Sequence, residues 1–172
     1  MTATVRRRSG VFTLLCLLVA TPAIAADLDE SGVADAIADY SQGRFDIARR
    51  QFEVAASAGS AAAQYHLGLM HARGEGTTPD LVAAARWFAL AAEQDHAHSQ
   101  FILGHMYARG DGVARDLVSA HLWFSAAVAA GWWKSREARE RLVPEMTPAE
   151  VARASAQFAA RERRKEAANG NR

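Results

Sequence analysis

The sequence predicts an all-α fold: a short solenoid of stacked helix pairs, closed by a C-terminal capping helix. Three observations predict it. Residues 61–96 overlay residues 97–132 with sixteen identities, an internal repeat of 36 residues. Each copy reads as helix, glycine loop, helix. The only cysteine, Cys16, stands near the amino terminus, so no disulfide replaces packing as the source of stability.

The chain opens with Arg6-Arg7-Arg8, an apolar run over 11–20, Thr21-Pro22, and Ala23-Ile24-Ala25. A charged n-region, an apolar h-region and a small-x-small site mark a secretory signal peptide. The cut is expected after Ala25, ahead of Ala26, which places the protein in the periplasm or outside the cell. The apolar stretch is shorter than the ~20 residues a spanning helix needs, so no stable membrane anchor is expected after cleavage. Cleavage also removes Cys16, which excludes thiolate nucleophiles and cysteine metal sites. The whole chain carries 20 basic and 19 acidic residues. Residues 27–133 hold seven basic and thirteen acidic ones, and 134–172 hold ten and six. No basic domain face offers itself to nucleic acid.

The solenoid is expected over 26–131, as repeats at about 33–59, 60–95 and 96–131. In the first, Tyr40, Gly43, Phe45, Ala48, Phe52 and Ala55 keep a helix-pair spacing with a short turn. In the second and third, Tyr65, Leu69 and Ala72, like Phe101, His105 and Ala108, recur at i, i+4, i+7 on the first helix. Gly68 and Gly104 sit in mid-helix, where glycine costs about 1 kcal/mol against alanine. Such a cost is accepted where another helix crosses. Gly74-Glu75-Gly76 and Gly110-Asp111-Gly112 end the first helices with residues free to take positive φ. Asp80 and Asp116 are placed to N-cap the second helices. Leu81, Ala84, Phe88 and Ala91, with Leu117, Ala120, Phe124 and Ala127, form the inner faces of those helices, extended by Trp87 and Trp123.

The order Leu-Gly, Ala-Arg-Gly-x-Gly, Asp, Ala-x-x-Trp resembles the Sel-one-like repeat, a relative of the tetratricopeptide repeat with a longer loop. The first unit resembles the parent tetratricopeptide unit. The resemblance implies a right-handed solenoid whose first helices line a concave groove. It implies binding of a protein or peptide partner, without cofactor or catalysis, in the bacterial envelope. By position the groove would present Tyr65, Leu69, Arg73, His98, Phe101, His105 and Arg109. A rival reading comes from exported, cysteine-rich relatives that bind or hydrolyse β-lactams, and makes cell-wall peptide the ligand. The lack of cysteine in the mature chain weakens it.

Beyond the repeats, 132–160 are expected to cap the stack. The segment 134–143 looks helical. Thr147-Pro148-Ala149-Glu150 is a capping box with proline at the first helical position, followed by Val151, Ala154, Ser155 and Phe158 on one side. Residues 161–172 read as a charged, frayed tail.

Catalytic signatures are missing: no P-loop, no H-E-x-x-H, no G-x-S-x-G. Six histidines, His66, His71, His96, His98, His105 and His121, fall in a short stretch, but their spacing does not bring metal-ligand distances together on one helix. Arg73 and Arg109 recur at one repeat position, as closers of their helices or as a ladder along the groove. Trp132 and Trp133 cannot both be buried on one helix face, and an exposed tryptophan is a plausible binding anchor.

Overall fold

The computed structural model describes residues 22–170, with side chains from residue 32. The chain runs α1 (Pro22–Ser41), α2 (Phe45–Ser57), α3 (Ala61–Arg73), α4 (Leu81–Glu93), α5 (Ala97–Arg109), α6 (Leu117–Ala129), α7 (Lys134–Leu142), a short 3-10 turn (Val143–Glu145) and α8 (Pro148–Asn169). Each helix packs on the next, except that α8 returns to lie against α6. There is no strand among the described residues. Residues 1–21 of the expected leader lie outside them, and Ala23, Ala25 and Ala26 fall within α1. None of the described helices is long and apolar enough to cross a membrane.

Several of the sixteen identities are the residues that pack the two helices of a pair together or press one unit on the next. Phe52, Phe88 and Phe124 are 36 apart and at most 1% exposed, one at the centre of each pair. A Cβ on Gly68 would stand 2.6 Å from the Phe88 ring, and one on Gly104 would stand 2.6 Å from Phe124. The mid-helix glycines therefore admit an aromatic ring from the partner helix. Gly74 and Gly110 take φ of +72° and +83° as left-handed C-caps. The second glycines do a separate task. A Cβ on Gly112 would lie 2.1 Å from the Leu81 carbonyl, and one on Gly76 3.0 Å from the Phe45 carbonyl. Each loop is thus pressed against the start of the second helix in the preceding unit.

Buried glutamines complete the repeat. Gln64 donates to the Ala56 carbonyl at 3.3 Å, and Gln100 to the Ala92 carbonyl at 3.0 Å. Each satisfies one of the free carbonyls that a helix C-terminus leaves over. The caps follow the same period. Ser60 and His96 accept at the starts of α3 and α5, and Asp80 and Asp116 at those of α4 and α6.

The carboxyl end departs from expectation in two respects. The capping box forms as read, with Thr147 and Glu150 each accepting from the other's backbone N–H. However, α8 does not fray after residue 160; it continues to Asn169. The reason is Arg161, which is only 7% exposed. Its guanidinium donates to Asp95 at 3.0 Å and to the Ala92 carbonyl at 3.1 Å, and lies 5.3 Å from the Trp123 ring. Ser155, expected on the packed side, is exposed, while Ala154 is fully buried.

Candidate partner-binding groove

The first helices α3 and α5 carry a line of half-buried rings. Tyr65 on α3 is stacked with His98 on α5, centroids 5.7 Å apart and planes 12° apart. His98 meets Trp132 edge-on at 3.7 Å, and Trp132 lies 6.4 Å from Phe101. Phe101 and His105, one turn apart, are 4.6 Å apart in T geometry, and His105 then reaches Phe124 at 5.0 Å. The line continues backwards through His66, stacked on Phe52 at 4.7 Å. It crosses successive repeats because first-helix positions line up when the pairs stack.

Of the expected groove residues, Tyr65, His98, Phe101 and His105 join this line directly. Leu69, His105 and Arg109 line one pocket of about 290 Å³ between α3 and α5. Arg73 stands apart. It donates to the Tyr40 hydroxyl at 3.0 Å, lies 3.8 Å from Glu75, and thereby braces the junction with the first pair. Tyr40 in turn donates to Glu75 at 2.5 Å. The two tryptophans divide: Trp132 is half-buried in the ring line, and Trp133 is 72% exposed beside it. Lys134 sits 5.7 and 5.9 Å from their two rings, within cation–π range.

The surroundings of five imidazoles disfavour their protonated form. Burial lowers the pKa of His66, His96, His98, His105 and His121. Neighbouring positive groups add to this: Lys134 for His98, Arg109 and Arg141 for His105, Arg139 for His121. Burial also raises the Tyr65 hydroxyl. No cluster of three or more metal-ligating side chains occurs among the described residues. His96 has a structural task that the sequence did not signal. Its Nδ1 accepts from the Ser99 N–H at 3.3 Å and caps α5. The clue lay in the repeat, because Ser60, a common cap residue, stands 36 positions earlier.

The Sel1 repeat family matches residues 61–96 and 97–132, the two blocks of the internal overlay. No curated protein matches the chain. Among solved structures, a protective antigen present in uropathogenic Escherichia coli strains, displaying an SLR fold, superposes with a TM-score of 0.73 at 28% identity. That alignment covers 77% of this chain and 29% of the antigen. A Sel1 repeat protein from Oxalobacter formigenes aligns with a TM-score of 0.60 at 27% identity, over 70% of this chain and 51% of its own. The chain thus spans about a third to a half of these structures. Proteins of this repeat type are commonly non-catalytic scaffolds for protein–protein interaction. The chain thus carries two Sel1 repeats, over residues 61–132, within a helix-pair architecture shared with its structural neighbours.

Proposed function

We propose that this protein is an exported, non-catalytic adaptor that holds a peptide or protein segment along its first-helix groove in the bacterial envelope. One observation carries the reading. The ring line Tyr65, His98, Trp132, Phe101 and His105 is left half-covered, although the cores of the pairs are already filled by Phe52, Phe88 and Phe124. Amphipathic rings at partial burial, with Trp133 exposed alongside, are the composition of an interface centre. The non-catalytic part draws support from the one hydroxyl–imidazole pair in the repeats. Ser99 Oγ lies 2.9 Å from His96 Nδ1, but Ser99 is fully buried and engaged in a helix cap, so it meets no substrate.

A photo-reactive phenylalanine analogue at position 101, on the groove, should crosslink a discrete partner in living cells. The same probe at Val54, 72% exposed on α2, should not. Equal labelling from both positions would refute the groove. Export is tested separately by the mass of the periplasmic protein, expected to begin at Ala26. A full-length chain held in the inner membrane would overturn the export reading.

A further inference from the structure

Two pockets flank the carboxyl half of α5 and share His105 and Arg109. The one between α3 and α5 is walled by Leu69, Phe88, Ile102 and Met106. The other, about 380 Å³, lies between α5 and α7, where Arg109 and Arg141 accompany Phe124 and Leu142. Arg109 has no hydrogen-bond or ion-pair partner among the described residues, unlike its repeat counterpart Arg73. The sequence explains the contrast. Tyr40, the penultimate residue of α1, reaches Arg73, whereas Ala72, the penultimate residue of α3, has no polar group to offer. Asp111 is also one methylene shorter than Glu75. Arg141 has only Glu137 of its own helix at 3.3 Å, with both side chains more than 70% exposed. Glu145, the acid lining the second pocket, is engaged by Arg115 at 2.7 Å. Positive charge is therefore in excess there. His105 registers it: after burial, Arg109 and Arg141 are what lower its pKa.

We infer that the two pockets together read an extended peptide with one apolar and one acidic side chain: the apolar group between α3 and α5, the carboxylate between Arg109 and Arg141. The inference rests on the groove reading above and names the chemistry of its partner. The pockets share His105 and Arg109 and so lie side by side across one face of α5, a helix about 10 Å wide. A chain in polyproline II form covers that span in about three residues at ~3.1 Å each and turns its first and fourth side chains to the same face. A guanidinium fork matches a carboxylate in geometry as well as charge. Asp111, lining the apolar pocket, disfavours an acid on that side and so sets the peptide's direction.

The test is selection of random decapeptides displayed on phage, against the purified protein and its Arg109→Glu variant. The wild type should enrich apolar-x-x-Asp or apolar-x-x-Glu. Arg109→Glu should lose the acidic preference and take Lys or Arg in its place. Its fold should survive with a melting temperature only slightly lowered by the acid at the C-terminal end of α5, because Arg109 is exposed and unpaired. Added to the wild type, an enriched peptide should raise the NMR titration midpoint of His105, since its carboxylate offsets the two guanidinium charges. Peptides that need His98, shown by loss of binding to His98→Ala, yet carry no acidic preference would overturn this inference and leave the groove standing. Enriched peptides indifferent to His98→Ala, or no enrichment at all, would overturn both.

Discussion

Gly104 shows how a single residue states a packing rule. Its missing Cβ is where the Phe124 ring lies, and Phe124 is only 1% exposed, so the ring has nowhere to retreat. In an exposed helix, Gly→Ala gains about 1 kcal/mol of helix propensity. Here Gly104→Ala should instead cost about 1–3 kcal/mol through overpacking. Thermal unfolding decides it, and a rise in melting temperature would contradict the ring-in-notch account. Residues whose role depends on a local backbone demand were legible in the sequence. Gly68, Gly104, Asp80 and Asp116 each announce a constraint that few residue types meet. Roles set by tertiary neighbours were not. Nothing local to Arg73 and Arg109 says that one is held by Tyr40 and the other is free.

At the scale of the element, α8 depends on a substitution within the repeat. Gly59, Asp95 and Gly131 stand 36 apart, and all three take positive φ after a second helix. Asp95, at +64°, is the non-glycine member among the described residues. Its backbone strain has a return, because its carboxylate receives Arg161 at 3.0 Å and Lys165 at 3.0 Å. Burial would raise the Asp95 pKa, but the bonds from Lys165 and Arg161 outweigh it and lower the value. Arg161→Ala should therefore cost about 1.5–3 kcal/mol, the range for hydrogen bonds to charged groups. It should also speed amide exchange over 158–169. Asp95→Gly relieves the φ strain and removes the acceptor. If the anchor matters more, this variant too is less stable; a more stable Asp95→Gly would show that α8 is held by Trp123 and Phe158 alone. The capping box made the start of α8 legible from four residues. Its end was not, since an arginine in a run of charges looks solvated until the partner 66 residues away is known.

Across the whole molecule, the helix-pair order was legible because one 36-residue unit repeats its caps, notches and loops, while the ring line arises only when first helices from successive units come together. The imidazoles of that line and its surroundings, with His121 buried on α6, have a consequence for acid stability. His66, His96, His98, His105 and His121 have lowered pKa values in the folded chain, chiefly through burial. Above the ordinary histidine pKa of about 6.5, both folded and unfolded chains hold them neutral. Below it the unfolded chain binds protons first, so stability falls with pH until the folded imidazoles also titrate. Asp95, Asp116 and Glu150 act lower down. Their depressed pKa values protect the fold above about 4, and that contribution disappears as pH drops through the folded values. The melting temperature should thus decline in two stages, the first beginning near pH 6.5. His96 contributes to that first stage in a specific way. Protonating Nδ1 destroys the acceptor that caps α5 and places a cation at the positive end of the helix dipole. His96→Ser restores the cap that Ser60 provides one repeat earlier, with a group that does not titrate. It should match the wild type at pH 7.5 and exceed it at pH 5.5. Parallel melting curves for the two proteins across that interval would remove His96 from the acid response, and a flat wild-type profile from pH 7.5 to 5.5 would remove the imidazole line altogether.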